Sequence, residues 1–371
     1  MLVISHEYPP LGGGAGLNLQ SVCGELINRG YNLRIITERF SKDPIDCRAF
    51  PIIRIPCLRK SHFQTSFIST ALFLAGAIVV GVIQPRKSYD FIFSNMAIPA
   101  AIAGVIIAAL RWRPHMVWHH GSDVHAGRSL GAPVIQKLLL KAIWRRSFAN
   151  CFISAGLLAR AQTYGNVPRA FVVPVAPVFK NPPRSAAPIE KPCFLFMGRL
   201  EKVKNPLLLI DACDVLKKRG DLGRPIRIIG DGRLYGPLRD TIARRGLESH
   251  VVLQKNIAHA EIAYALHGAY ALIITSIVEG FNMTMLEAAM RCVPTISSDV
   301  AGVSDFIKHR STGLLFKTND PIALADCMKE MDNNLDMRRF LGNTAFDAAQ
   351  RYSLRATVDA LEIALESMWP A

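Results

Sequence analysis

Glu279 and Glu287 lie eight residues apart across a break from strand-like to helix-like sequence. The run Ala271-Leu272-Ile273-Ile274-Thr275-Ser276 ends at Glu279-Gly280-Phe281-Asn282. From Met283 apolar residues recur at helical spacing (Met285, Leu286, Ala289, Met290), with Glu287 among them. Glu279 is therefore expected at the carboxyl end of a strand, where open α/β sheets hold ligands. Glu287 falls one turn into the following helix, whose first amides favour anionic groups. One carboxylate for each of two hydroxyl-bearing rings, with a phosphate position between them, suits a sugar nucleotide. Taken alone, the same two glutamates would equally be solvated helix-end acids.

Three further clusters carry polar groups to strand ends. Gly12-Gly13-Gly14-Ala15-Gly16 offers backbone amides to a phosphate. A dinucleotide fingerprint, with Glu38 as ribose ligand, is weakened by Leu17 where a glycine is needed. It is weakened again by His6-Glu7-Tyr8-Pro9-Pro10 standing between strand and glycines. His119-His120-Gly121-Ser122-Asp123 could hydrogen-bond a sugar hydroxyl or simply start a loop, and its spacing suggests no third metal ligand. In Gly198-Arg199-Leu200-Glu201-Lys202-Val203-Lys204, Arg199 supplies a planar fork and Lys204 a point charge, a combination suited to a diphosphate. Such cations also stabilise charge building on a leaving diphosphate. The chain contains no Asp-x-Asp, the usual bridge to a metal-bound diphosphate, so no metal is expected.

Elements must bring these clusters together. The 371 residues are enough for about two domains. Strands are predicted at Leu2–Ser5, Leu33–Thr37, Phe91–Ser94, Met116–Trp118, Cys151–Ser154 and Ala170–Val173, with helices at Leu19–Arg29 and Ala100–Leu110. A second alternation runs Phe194–Met197, a helix at Pro206–Lys217, Ile226–Ile229, Val251–Gln254, Leu272–Thr275 and Thr295–Ser297. Repeated βαβ units imply parallel, doubly wound sheets. The domains are placed at 1–178 and 190–350, with the proline-rich stretch Pro177 to Pro192 as linker and a ligand cleft expected between them.

The eight cysteines form no Cys-x-x-Cys and lie scattered, as in a reduced cytosolic protein. Met1–Ile4 reads as a strand without a basic n-region, so no signal peptide is expected. Residues 1–180 hold 20 Lys and Arg against 7 Asp and Glu, leaving most of the net charge of +15 in the first half. A basic half seeks an anionic partner, and no nucleic-acid motif is present, which leaves phospholipid or a phosphorylated substrate. Phe67–Ile83 is a charge-free, largely apolar run of 17 residues, the lower limit for a membrane span. A span would split a Rossmann-like half across the membrane, so a buried helix or contact with a bilayer surface is expected.

The set as a whole resembles glycosyltransferase family 4, the retaining GT-B enzymes, along essentially the whole chain. The resemblance rests on Tyr8-Pro9-Pro10 with Gly13-Gly14, His120-Gly121-Ser122-Asp123, Gly198-Arg199-Leu200 with Lys204, Gly230-Asp231-Gly232, and Glu279-Gly280-Phe281 through Glu287-Ala288 to Pro294. It implies a GT-B fold of two Rossmann-like domains, an acceptor-side and a donor-side one, with the last helix (about Ser353–Met368) returning to the first. It implies that Gly13 and Gly14 give amides to donor phosphate or acceptor, that Arg199 and Lys204 bind the diphosphate, and that Gly230 lies at the donor. Glu279, with the amides of Phe281, Asn282 and Met283, would bind the sugar, and Glu287 the ribose. His120 would lie against the transferred sugar and Asp123 on the acceptor side. Asn282 stands where Gly or Pro is frequent, Arg291-Cys292 where a small residue and Gly are usual, Ala301-Gly302 for a common Gly-Gly, and Asp305 for a common Glu.

The expectation is a metal-independent retaining transferase of hexosyl type, needing no cofactor. Its donor is a nucleoside diphosphate sugar and its acceptor a lipid-linked or cell-surface glycan. It would stand in the cytoplasm against an anionic inner membrane face, where the basic pairs Arg59-Lys60, Arg86-Lys87, Arg111/Arg113 and Arg145-Arg146 would meet headgroups. Alternatives are a sugar-nucleotide epimerase or soluble small-molecule transferase of the same fold, a dinucleotide-binding oxidoreductase, or a non-catalytic sugar-binding subunit.

Overall fold

The computed structural model describes residues 1–39, 51–58, 66–121, 123–125, 133–177, 192–257 and 259–368. Cys47, Arg59-Lys60, Ser122 and positions 178–191 of the expected linker lie outside the described residues. The chain divides into two compact units, Met1–Val178 with Tyr352–Ala371, and Phe179–Arg351.

The first unit runs β1 (Leu2–Ile4), α1 (Gly14–Asn28), β2 (Arg34–Arg39), β3 (Ile52–Pro56), α2 (Phe67–Ile83), β4 (Ile92–Asn95), a π-type turn (Ala97–Ala101), α3 (Ile102–Arg111), β5 (His115–His119), α4 (Pro133–Arg146), β6 (Ala149–Phe152), α5 (Ala155–Gln162) and β7 (Ala170–Val172). Its sheet is parallel, in the order β3-β2-β1-β4-β5-β6-β7. The order reverses between β1 and β4, which opens a crevice at their carboxyl ends. Periodicity alone starts the first helix near Leu19, yet α1 begins at Gly14. Gly16 permits this: a Cβ there would press on the Leu11 carbonyl at 3.1 Å, so the absent side chain lets the first turn close on the preceding loop.

The 17-residue apolar run is one helix, α2, capped at its start by Ser66, whose hydroxyl accepts from the Ser69 amide at 3.1 Å. Ser69, Phe73, Ala77 and Gly81 recur every four residues along its buried stripe. At 1.5 Å per residue it is shorter than the roughly 30 Å hydrocarbon core. No helix among the described residues is long and apolar enough to cross a membrane.

The second unit runs β8 (Cys193–Met197), α6 (Pro206–Arg219), β9 (Ile226–Ile229), α7 (Tyr235–Arg244), β10 (Val251–Gln254), α8 (His259–His267), β11 (Ala269–Ile274), α9 (Met283–Ala289), β12 (Thr295–Ser298), α10 (Ala301–Ser304), β13 (Leu314–Phe316), α11 (Pro321–Asn333) and α12 (Leu335–Ala349). All its strands are parallel, in the order β10-β9-β8-β11-β12-β13, with the reversal between β8 and β11. Pro206 at the head of α6 and Gly220 (φ 74°) just past its end are the start and stop signals expected of a helix. α13 (Leu354–Glu366) belongs to the first unit. There Arg29 at the end of α1 donates to Asp359 (2.6 Å) and Glu362 (2.5 Å).

Candidate active site

In the second unit the loops after β8 and β11 meet at the switch point. Lys204 Nζ donates to Glu279 Oε1 at 2.5 Å. The same oxygen accepts from Ser276 Oγ (2.7 Å) and Asn282 Nδ2 (2.9 Å). Two further bonds sew the loops together, Thr275 Oγ1 to the Lys204 carbonyl (2.8 Å) and the Ile277 amide to the Val203 carbonyl (2.9 Å). Burial, the largest influence on Glu279, pushes its pKa up. The charge and hydrogen bond of Lys204, with the bonds from Ser276 and Asn282, outweigh it and hold the carboxyl below its ordinary range.

An ammonium group has three donors. One of Lys204's is on Glu279, and the other two meet no acceptor among the described residues. Arg199 is exposed, and its guanidinium has no partner among the described residues. Lys204 differs from it: its side chain is only 20% exposed and is held by Glu279.

Gly-Asp-Gly after β9 shapes the Arg199 loop. Gly230 is buried under the Gly198 carbonyl so closely that a Cβ would overlap it, and a Cβ on Gly232 would come 2.5 Å from the Leu200 carbonyl. Gly230, expected at the donor, thus supports the loop from beneath. Gly302 does the same for Glu279, since its Cβ would stand 2.5 Å from the carbonyls of both Glu279 and Gly280.

Asn282 also caps α9, accepting from the Met285 amide at 3.1 Å, so one side chain fixes both the helix and the carboxylate. Phe281 is buried with its ring edge toward Phe306. Met283 opens α9. Glu287 is buried on α9, and Arg291 one turn on donates to its carbonyl at 2.7 Å. Burial lowers the Arg291 pKa, and the Glu287 charge works against that.

In the first unit the two histidines at the end of β5 part company, as successive strand residues must. His119 turns inward, stacked on Phe152 at 4.6 Å between ring centroids. Its Nε2 accepts from Trp144 Nε1–H (3.2 Å), which leaves Nδ1–H to donate to Asp123 Oδ2 (3.0 Å). Asp123 also accepts from the amides of Ala97 (2.8 Å), His120 (3.2 Å) and Gly121 (2.9 Å). Burial works to raise its pKa, but the bonds from His119 and Ala97 hold it well below the usual carboxylate range. Asp123 was expected on the acceptor side. At 1% exposure, with four bonds accepted from its own loop and neighbours, it holds the loop that carries His120.

His120 faces the other way. Its Nε2 lies 2.7 Å from Asn95 Oδ1, and Asn95 Nδ2 in turn donates to Ser5 Oγ at 3.1 Å. Burial lowers the His120 pKa to about 4, against the raising charges of Asp123 and Glu7. The neutral ring donates Nε2–H to Asn95 and leaves Nδ1 as an acceptor. Gly13 caps α1, which begins at Gly14, and a Cβ on Gly13 would meet nothing within 4 Å.

Within each unit, then, the expected residues flank the sheet's reversal: Gly13, Gly14 and His120 near β1 and β4, and Arg199, Lys204 and Glu279 near β8 and β11. Sequence reasoning missed Asn95 and Ser276. Both are polar residues at the carboxyl ends of apolar strands, and that position is the signal that would have found them. No group of three or more His, Cys, Asp or Glu among the described residues is arranged as metal ligands.

Residues 178–347 match the family model of glycosyl transferases group 1. An uncharacterized glycosyltransferase of Methanocaldococcus jannaschii is 24% identical over 95% of this chain and 94% of its own. HepE of Anabaena, solved with UDP and glucose, shares the fold with a TM-score of 0.78 at 16% identity, over 99% of both chains. Sucrose-phosphate synthase of Thermosynechococcus elongatus does so with a TM-score of 0.81 at 17% identity, over 99% of this chain and 98% of its own. The fold of the chain is GT-B, built from two parallel-sheet Rossmann-like units.

Proposed function

We propose that the protein is a retaining, family 4 transferase that moves a hexosyl group from a nucleoside diphosphate sugar, without a metal ion. The second unit takes the donor and the first the acceptor, a glycan precursor that is lipid-linked or bound for the cell surface. The observation that carries the proposal is the Lys204–Glu279 pair beside the unpartnered Arg199. Arg199 and the two remaining Lys204 donors suit the oxygens of a diphosphate. Glu279, fixed by three hydrogen bonds, suits the hydroxyls of the sugar, and Glu287 those of the ribose. The amides of Gly13 and Gly14, and of Phe281, Asn282 and Met283, add donors, and the Nδ1 of His120 an acceptor for a sugar hydroxyl. HepE, solved with UDP and glucose, supports a donor of this class.

The same three bonds make Glu279 a poor nucleophile, because a carboxylate stabilised as its anion has little tendency to share its electrons. Transfer on one face fits better. The departing diphosphate oxygen takes the acceptor's proton while Arg199 and Lys204 stabilise its charge. This reading places the enzyme in the cytoplasm.

A thermal-shift comparison of UDP, GDP, ADP and NAD tests the class. A ligand that binds only the native state raises stability by mass action. A gain with a nucleoside diphosphate and none with NAD is expected; the reverse result would make the protein a dinucleotide enzyme. The anomeric coupling constant of the first-formed product tests retention.

A further inference from the structure

The helices α2, α3 and α4 form a layer in which α2 packs beside α3 and α3 beside α4. A surface helix ordinarily presents a polar outer face; one that is apolar all round belongs in a core or in lipid. α2 carries no charge and no polar group beyond Ser69 and Thr70, yet Phe67, Ile68, Leu72, Val79 and Ile83 are exposed along it. On α3 Ile106 and Leu110 are exposed, and Trp112 at its end is 92% exposed. On α4 Val134, Ile135 and Leu138 are exposed. These eleven side chains are more than half of the twenty large apolar residues exposed among the described residues. Monomeric soluble proteins rarely expose so much apolar surface in one place without using it.

The charge around this layer is mostly positive. Between positions 66 and 177 the only acids are Asp123, which is buried in its own hydrogen bonds, and Asp90. Arg86 and Lys87 after α2, and Lys137, Arg145 and Arg146 on α4, are exposed. Arg111 and Arg113 flank Trp112. They donate to the carbonyls of Val82 (3.0 Å), Gln84 (2.7 Å) and Arg86 (3.0 Å), so they clamp the end of α2 while keeping their charge there.

We propose that the outer face of α2, α3 and α4 docks on an anionic lipid bilayer. Trp112, Leu110 and the α2 stripe enter the headgroup–acyl boundary, and the surrounding Arg and Lys side chains meet the phosphates. Apolar residues inserted beneath a basic rim are the pattern of a helix layer lying in the interface plane. The proposal concerns this face alone and holds whatever reaction the protein performs.

The test is co-sedimentation of the full chain with phosphatidylglycerol vesicles and with phosphatidylcholine vesicles, at low and high salt, without donor or acceptor. The chain is expected to bind the anionic vesicles at least about tenfold more tightly, less so in high salt. Brominated lipid should quench the emission of the wild type, and the quenching should be lost in Trp112→Ser. Leu110→Glu with Trp112→Ser, and separately Arg86→Glu with Lys87→Glu, should each weaken binding with unchanged circular dichroism. Ile322→Glu and Phe340→Glu, exposed positions of the second unit, should not. Failure to bind either vesicle, or variants that bind like the wild type, overturns the proposal. So does a concentration-dependent dimer dispersed by Leu110→Glu in a chain that ignores vesicles, since the face would then belong to a second copy.

Discussion

Lys204 Nζ stands 2.5 Å from Glu279 Oε1, although 75 positions separate the two residues in the chain. The contact joins the loops after β8 and β11, the strands between which the second sheet reverses its order. A cation suited to phosphate and a carboxylate suited to hydroxyls are thus one unit before any ligand arrives. Each sets the position of the other.

The two cations should therefore separate on mutation. Arg199→Ala is expected to slow turnover by about 10²–10³, the usual loss for one preorganised stabiliser of developing charge, with the unfolding midpoint unchanged. Lys204→Ala should slow turnover at least as much. It should also cost about 1–2 kcal/mol of stability, in the lower part of the range for a charged hydrogen bond because water reaches this side chain. Steady-state rates and denaturant titrations on both variants check the difference.

His120 gives a pH dependence whose sign follows from its lowered pKa of about 4, against 6.5 for the free group. The unfolded chain takes up the proton first, so stability is complete above pH 6.5 and falls as pH drops through about 4. The rate profile should show no inflection near pH 6.5, because the ring is already neutral there. An inflection at that pH which disappears in His120→Asn would contradict the assignment.

Asp123 is expected to matter for the loop before it matters for chemistry. Asp123→Asn puts an amide where four donors converge. His119 cannot change tautomer to help, because its Nε2 already accepts from Trp144. A loss of about 3 kcal/mol or more is expected, as for breaking a buried charged network. Unfolding by urea, followed through Trp118 and Trp144 fluorescence, measures it.

Gly302→Ala should act at a distance from any ligand. The new methyl group would press on the carbonyls of Glu279 and Gly280, and overpacking of this kind costs about 1–3 kcal/mol. Because the displaced turn carries Glu279, KM for the donor should rise along with the stability loss. Titration of the donor against the variant reads both.

The cation pair also makes transfer in excess chelator the expected result. Loss of activity on chelation, restored by magnesium or manganese, would mean that Lys204 and Arg199 do not hold the diphosphate.

Much of this arrangement is legible in the sequence. The apolar runs give β8, β9, β10 and β11 to within a few residues, and Pro206 and Gly220 bracket α6, because backbone chemistry is local. α4 and β13 escape the same reading. The first has a basic, weakly periodic surface and the second is only three residues long. Side-chain direction is the harder part: His119 and His120 are neighbours, and only the pleat of β5 decides that one enters the core and the other meets Asn95.

The departures from the family pattern also become readable in space. Cys292, where glycine is usual, holds φ at 54°, the conformation that explains glycine there. Ala301 is exposed and tolerates a methyl group, whereas Gly302 beside it does not. Asn282 adds a bond to Glu279 that glycine or proline lacks.

The arginine clamps on either side of Trp112 have a consequence of an entropic kind. Trp112 sits at φ 53° at the end of α3, between guanidinium groups anchored on the last turn of α2 and the residues after it. Its backbone surrendered its freedom when the unit folded, so a surface that receives the indole has only the ring's two side-chain torsions left to order.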